Sequence, residues 1–179
     1  MNLTKMLTGL TMLTIATFGF EAQAANPMST KMTDPVIVQE LINTNEGEIS
    51  LAKLAITKAT NPEVKSFAEA MLKEHTENNE QTRVLTKKLN IEPQNNLKTE
   101  TRTISAEKDV AVLKMKKGKS FDKSYIDSQV KMHRKVLEEL NQKMIPNAQN
   151  EELKAMLTKT AASVKEHLQH AQKLQTNML

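Results

Sequence analysis

The sequence lacks cysteine and tryptophan altogether, and only one tyrosine and four phenylalanines occur among its 179 residues. Without thiols the protein can form neither disulfides nor thiolate metal sites, and it has no cysteine nucleophile. The scarcity of aromatic side chains leaves no stacking platform for nucleic-acid bases. Valine and isoleucine are sparse beside leucine, lysine, glutamate and alanine, and this composition favours helix over sheet. We therefore predict an all-α protein that does not bind nucleic acid.

Motifs of the common enzyme classes are also missing. The sequence contains no P-loop, dinucleotide fingerprint or Ser-His-Asp signature. No nucleophile or acid–base pair stands out, so we expect that the protein is not an enzyme. The net charge of +4 is a weak sign of anionic partners, because charges of both signs are mixed along most of the chain.

The N-terminus has the features of a secretory signal peptide. Lys5 supplies a positive charge, Met6 to Phe20 is mostly apolar, and Ala22 to Ala24 has the small-x-small pattern of a cleavage site. The apolar stretch is short for a membrane span, which needs about 20 residues. We predict a signal peptide over 1–24, a flexible tail over 25–33 and one domain over 34–179. The protein would then be exported to the periplasm or out of the cell.

Proline and glycine divide this domain into helices. Asp34-Pro35 and Asn61-Pro62 each place an N-cap residue before a proline at the first helical position. The link between the first two helices is so short that they must form an antiparallel hairpin. We predict four long helices and, capped by Ser105 and ended by Gly118, one short helix. Their ranges are about Pro35–Thr60, Pro62–Asn90, Ala106–Lys117 (short), Phe121–Met144 (capped by Ser120) and Asn150–Asn177.

The connection from Ile91 to Ser120 is long enough to cross the length of a bundle. It therefore favours a ferritin-like four-helix bundle in which the crossover contains the short extra helix and the third long helix runs parallel to the second. A simple up-down-up-down bundle is the alternative, and the sequence does not decide between the two.

Four ionisable residues occupy apolar seams, one on each long helix. His75, His133 and His167 lie at spacings of three and four among residues that face the core, and Glu48 does the same on the first helix. Burying such groups without partners costs several kcal/mol. The pattern indicates either a site for one divalent transition-metal ion or a buried polar network that fixes helix pairing.

The four side chains must also lie at one height along the bundle. Glu48 and His75 lie about equally far from the turn at Asn61, and His133 lies near the middle of its helix. His167 shares their level only if the fourth helix overhangs by about six residues, roughly 9 Å at 1.5 Å per residue. We therefore expect Glu48, His75 and His133 to form the core of the site, with His167 as a fourth member.

The chemistry of such a site is restricted by what surrounds the histidines. Three imidazoles and a carboxylate suit Zn²⁺, Cu²⁺, Ni²⁺ or Fe²⁺. Di-iron carboxylate bundles carry Glu-x-x-His pairs, but Leu72, Val130 and Val164 stand three residues before the histidines, which makes di-iron chemistry improbable. Polar residues on nearby faces are candidates for orienting the rings; they are Asn45, Asn78, Thr82, Asp122 and Gln129.

One dense basic run precedes and opens the third long helix. It comprises Lys114, Lys116, Lys117, Lys119 and Lys123. Such a cluster can bind anionic lipid headgroups, and a solvated joint around Gly118 is the simpler interpretation. The alternative function is thus a non-catalytic interaction module that contacts anionic membrane through these lysines, with the His/Glu layer purely structural. A protein partner is not indicated by the sequence.

The chain resembles the bacterial exported family catalogued as domain of unknown function 4142. The resemblance rests on residues 45–79, 118–140 and 164–174, and its most specific marks include Glu48, Asn61-Pro62, Phe67-Ala68, His75, Phe121-Asp122, Tyr125, His133 and His167. It implies a ferritin-like bundle in the bacterial envelope or outside the cell. Members are often labelled predicted outer-membrane proteins, and the label implies no activity.

Overall fold

A computed structural model of the chain describes residues 31–178, so the predicted signal peptide and most of the predicted tail lie outside the described residues. Every element within that range is helical, which confirms the all-α prediction. The helices are α1 Asp34–Lys58, α2 Pro62–Leu89, α3 Leu97–Lys114, α4 Gly118–Glu139, the one-turn α5 Ile145–Asn147 and α6 Glu151–Asn177. Between residues 31 and 178, none of these helices is long and apolar enough to cross a membrane.

The start signal of α2 acts as predicted, whereas the N-cap of α1 is Thr33 and Asp34 is the first helical residue, so the predicted cap at Asp34 was wrong. Pro35 lies in the first turn of α1, and the Asn61 side chain accepts a hydrogen bond from the Glu63 backbone N–H at 2.8 Å. The buried Asp122 carboxylate of α4 supports the same turn, because it accepts the backbone N–H groups of Thr60 and Asn61, each at 3.0 Å. The two helices form the expected antiparallel hairpin.

Helix α3 is longer than the sequence indicated. It begins at Leu97 rather than Ala106, and its cap is Asn96 rather than Ser105. The Asn96 side chain accepts hydrogen bonds from the backbone N–H groups of Lys98 and Thr99. The backbone N–H of Asn96 in turn donates to the Thr99 hydroxyl. The prediction was wrong because the polar run before Leu97 was interpreted as a loop, although asparagine is among the best N-cap residues.

The third long helix also differs at both ends. It begins at Gly118, so Ser120 lies inside the first turn and does not cap it. After Glu139 the chain continues through a π-helical turn, Leu140–Met144, and then through α5. Pro146 lacks the N–H that a regular α-helix would use there, and this favours a local change of helical pitch. The helical path therefore extends three residues beyond the predicted end.

Two apolar clusters show the direction of each helix. The first joins Leu51 of α1, Phe67 of α2, Tyr125 of α4 and Ala171 of α6. The second lies at the opposite end, where the start of α1 meets the end of α4 and the start of α6. Hence α2 and α4 run in the same direction, opposite to α1 and α6, as the length of the crossover favoured.

Helix α3 returns along the outside of α1 and carries the chain back to that first end. It approaches α1 closely at Gly47, where an added Cβ would lie 3.0 Å from the Ala106 Cβ. Arg102 anchors it through ion pairs with Glu40 of α1 and Glu139 of α4, and both carboxylates are buried. Helix α3 is thereby tied to both α1 and α4.

Candidate metal centre

The histidines of α2, α4 and α6 meet in the interior of the bundle. His75, His133 and His167 are buried, with 6%, 2% and 7% of their surfaces exposed. Their ring centroids are 5.3 to 5.8 Å apart. Each ring offers one ligand nitrogen within 4.8 Å of those of the other two. These three residues are called the histidine triad below.

Each ring of the triad is oriented by a hydrogen bond on one side. His75 Nδ1 lies 2.9 Å from Asn45 Oδ1, and His133 Nδ1 lies 3.0 Å from the Gln129 backbone oxygen. His167 Nε2 lies 2.7 Å from Glu74 Oε2. Amide, peptide and carboxylate oxygens accept hydrogen bonds, so each of these ring nitrogens carries the proton and donates it.

The opposite nitrogen of each ring is left as a lone pair. His75 Nε2, His133 Nε2 and His167 Nδ1 are buried, and none of the three has a hydrogen-bond partner among residues 31–178. A neutral imidazole whose other nitrogen donates to an oxygen is the form in which histidine binds metals. The residues present therefore fit a bound divalent transition-metal ion.

The electrostatics of the triad keep it uncharged. Burial lowers the pKa of His133 to about 4 and holds the pKa of His75 well below its usual range. Burial also lowers the pKa of His167, although its bond to Glu74 opposes the shift. The unfolded chain, in which a histidine has a pKa of about 6.5, therefore binds protons at these rings more readily than the folded protein does. The stability of the metal-free protein is highest above pH 6.5 and is lost as the pH falls toward 4.

Glu48 lies beside the triad but outside it, contrary to the place that the sequence analysis gave it. Its Oε2 accepts a hydrogen bond from the Gln129 side chain at 2.9 Å. Its Oε1 lies 3.8 Å from His133 Nδ1, the nitrogen that already donates to the Gln129 backbone oxygen. The rotation of α1 therefore places this carboxylate at the protonated nitrogen of the His133 ring, while it still lines the cavity beside the triad.

His167 is a full member of the triad, although the sequence analysis placed it last. The helical path that contains His133 ends at Asn147, about 14 residues after His133. His167 lies about 17 residues after Asn150, the residue that precedes α6. The overhang that α6 needs is thus about three residues, roughly 4.5 Å, instead of six.

The residues predicted to orient the rings have different positions. The Asn45 side chain contacts His75 as expected, whereas Gln129 contacts His133 only through its backbone oxygen and its side chain donates to Glu48. Asn78 does not bond to a ring itself but holds Asn45: it accepts a hydrogen bond from Asn45 Nδ2 at 2.8 Å and donates one to Thr160 at 3.1 Å. Thr82 and Asp122 do not serve the rings, because Thr82 bonds within α2 and Asp122 supports the α1–α2 turn; both of these predictions were wrong.

Glu74 was not anticipated from the sequence. It is an exposed residue in a charged stretch of α2, beside His75 rather than in the seam. Only the relative rotation of α2 and α6 brings its carboxylate to the His167 ring, and no spacing within one helix carries that information.

A cavity of about 160 Å³ opens beside the triad. Its walls include Leu41, Val136 and Val164. The exposed Glu77 and Ser163 also line it, on the side where α2 and α6 face each other. The triad thus has a route to solvent between these two helices.

The predicted basic run lies at the joint between α3 and α4, and none of its lysines lines the cavity. Lys114, Lys117, Lys119 and Lys123 are exposed and Lys116 is half-buried. Lys123 pairs with Asp127 at 2.9 Å. Gly118 has φ = +53°, a conformation that glycine adopts without strain and that lets the chain reverse at this joint.

Comparison with known sequences assigns the chain to a family. The sequence profile described as Domain of unknown function (DUF4142) matches residues 19–174. The chain belongs to this family. No curated protein matches the chain, and no solved structure matches it. The description of the family assigns no activity to its members.

Replacing Glu48 by Gln is expected to stabilise the metal-free DUF4142 protein at neutral and higher pH. Burial raises the pKa of Glu48 from 4.5 to about 7. The folded state therefore holds a proton that the unfolded chain releases, and the stability from this carboxyl is present below pH 4.5 and lost as the pH rises through 7. Gln keeps an oxygen for Gln129 and removes the charge.

Urea unfolding between pH 5 and 8 measures this effect. At 1.36 kcal/mol per pKa unit, the gain of Glu48→Gln over wild type should grow with pH and reach up to about 3 kcal/mol at pH 8. The exposed Glu138→Gln is the control, with no such trend. A Glu48→Gln protein that loses stability at pH 8 would contradict the buried, charge-penalised position of this carboxylate.

Proposed function

We propose that this protein binds one divalent transition-metal ion through His75, His133 and His167. Two observations carry the proposal: each of the three buried rings offers a ligand nitrogen within 4.8 Å of those of the other two, and each ring has one buried nitrogen without a partner among residues 31–178. An unsatisfied buried polar atom costs about 1–3 kcal/mol. A single cation bound by the three rings would satisfy these nitrogens at once.

Three neutral imidazoles are ligands of intermediate softness, and they suit Zn²⁺, Cu²⁺, Ni²⁺ or Fe²⁺. The helix directions support the ferritin-like arrangement, and we include that arrangement in the proposal. The signal peptide predicted at the N-terminus would place metal binding in the periplasm or outside the cell.

Calorimetric titration of tag-free, metal-depleted protein tests the proposal. We expect Zn²⁺ to bind with a stoichiometry of about one per chain, and Mg²⁺ not to bind, because Mg²⁺ requires oxygen ligands in octahedral geometry. Absence of saturable Zn²⁺ binding, or equal binding of Mg²⁺, would overturn the proposal.

Glu74→Gln is expected to weaken Zn²⁺ binding about 10- to 100-fold, the usual effect of losing a carboxylate that orients a metal-ligating histidine. Gln retains the size of the side chain but not the charge that polarises the His167 ring. The matched control is Glu77→Gln, which changes an exposed carboxylate at the same cavity without contact to a ring. Equal effects of the two substitutions on the calorimetric affinity would show that Glu74 acts only through general charge.

The alternative function, contact with anionic membrane, is supported by the apolar residues among the lysines. Met115 is 86% exposed and Val112 is 56% exposed, next to Lys114 and Lys116. Exposed apolar groups flanked by lysines are typical of surfaces that bind anionic lipid, with about 1 kcal/mol per lysine.

Liposome sedimentation separates this alternative from a solvated joint. We expect salt-sensitive binding to vesicles that contain anionic lipid, and its loss in the double variant Lys116→Glu, Lys117→Glu. The exposed pair Lys159→Glu, Lys165→Glu on α6 matches the change in net charge. Binding that both double variants reduce equally would reflect net charge alone and refute a specific membrane surface.

A further inference from the structure

The cavity lies entirely on one side of the histidine triad. In α2 and α4 its lining residues extend from the histidine toward the C-terminus, as far as Gln81 and Val136. In α6 they extend from His167 toward the N-terminus, as far as Thr160, and in α1 they reach Leu41. Since α1 and α6 run opposite to α2 and α4, these four directions are the same direction in space. The triad therefore forms the floor of the cavity.

The other side of the triad is closed by core packing. Met71 of α2, Val130 of α4 and Ala171 of α6 each lie one turn beyond the histidine of their own helix and are buried in the first apolar cluster. This cluster leaves no path from the triad toward that end of the bundle in the described part of the chain. A group that reaches a metal on the triad must come from the cavity.

The carboxylates nearest the triad are not placed to complete a coordination shell. Glu74 contacts the protonated nitrogen of His167, and Glu48 lies beside the protonated nitrogen of His133. Both carboxylates line the cavity, but each approaches its ring at the protonated nitrogen rather than at the nitrogen that is left for a metal. The protein offers three nitrogens, whereas a tetrahedral ion has four positions and other geometries have more.

We propose that a metal ion on the triad keeps at least one coordination position open toward the cavity, and that this position takes water and exchangeable small ligands. The inference rests on the proposed metal binding and adds the purpose of the cavity. Three protein ligands with an open position distinguish exchangeable centres from structural ones, which are closed by a fourth protein ligand.

The size and walls of the cavity define the class of ligand. A water molecule takes about 30 Å³ in the liquid, so 160 Å³ holds several waters or one small organic molecule. Leu41, Val136 and Val164 supply apolar surface, while Asn78 and Thr160 supply an amide and a hydroxyl. Because Glu48, Glu74 and Glu77 all line the cavity, small neutral donors are favoured over multiply charged anions.

Visible spectroscopy of the Co²⁺-loaded protein tests the open position. Imidazole, a neutral donor, and azide, a monoanion, are titrated into the loaded protein. We expect saturable changes of the cobalt absorption bands with imidazole, and weaker binding of azide. Bands that neither probe changes would overturn the open position while leaving metal binding intact. Failure of Co²⁺ to bind at all would overturn the proposed function together with this inference.

Two neighbouring exposed positions of α6 provide a matched pair of variants. Ser163 lines the cavity and Ala162 does not. Ser163→Met is expected to weaken imidazole binding about tenfold, the lower end of the effect of added bulk in a pocket, with Co²⁺ affinity unchanged. Ala162→Met should leave both affinities unchanged. Equal imidazole affinity in the two variants would show that the ligand does not reach the metal through this cavity.

Discussion

Replacing His133 by Gln is expected to reduce the affinity for Zn²⁺ by more than 100-fold. His133 is the least exposed member of the triad, and its Nε2 is buried without a hydrogen-bond partner among residues 31–178. Loss of a residue that merely orients a ligand already weakens metal binding about 10- to 100-fold, and loss of the ligand itself must exceed that. Calorimetric titration of the tag-free variant measures the change.

The folded state of the variant must be checked, since His133 is buried in the bundle. Circular dichroism of the metal-free protein before titration shows whether the helices remain. His170→Gln is the matched control, because His170 is exposed and its ring packs edge-on against Phe67, outside the triad. A His133→Gln protein that is folded and binds Zn²⁺ as tightly as the control would refute the triad as the metal site.

Replacing Arg102 by Leu is expected to destabilise the protein by about 3–5 kcal/mol, the usual effect of removing one partner from a buried ion pair. The Arg102 Nε lies 2.5 Å from Glu40 Oε1, and its terminal nitrogen contacts Glu139. Glu40 is 0% exposed and Glu139 is 7% exposed, so both charges would stay buried with only Lys98 nearby, at 3.6 and 3.8 Å.

Thermal unfolding should show this loss as a decrease in Tm of about 10 °C, at roughly 2–4 °C per kcal/mol for a chain of this size. Arg134→Leu removes an exposed arginine from α4 and serves as the control, with a change of less than about 0.5 kcal/mol. If both variants unfolded at the same temperature as wild type, α3 would not be anchored through Arg102.

The helices that sequence reasoning found best are those with unambiguous chemistry at their starts. Both starts carry a proline in the first turn, Pro35 and Pro62, and both helices begin within a residue of the predicted position, although only Asn61 caps its helix as predicted. Helix α3 was misplaced because it packs on α1 largely through ion pairs and a close approach at Gly47, so it has little apolar periodicity.

The histidines of the site could be predicted because a helical seam is a property of one helix alone. His75, His133 and His167 occupy seam positions, and packing the seams together brings the rings together. The choice between Glu48 and Glu74 depends instead on how α1, α2 and α6 are rotated about their axes. An error of one residue's rotation, about 100°, decides whether a carboxylate faces a lone pair or the protonated nitrogen of a ring.

The same limitation applies to the height of His167. The predicted helix end at Met144 left an overhang that the π-helical turn and α5 reduce. The change of helical pitch near Pro146 depends on two things together, the missing N–H of the proline and the packing of Leu140 and Met144 in the second apolar cluster. No propensity scale for single residues encodes it.

X-ray absorption spectroscopy of the Zn²⁺-loaded protein tests the central claim most directly, because it reports the atoms bound to the metal. The account predicts three imidazole nitrogens at about 2.0–2.1 Å and one oxygen ligand from solvent. It also predicts loss of the imidazole signal in His133→Gln. A shell made only of oxygens, or one with fewer than three imidazoles in the wild-type protein, would contradict a metal centre built on His75, His133 and His167.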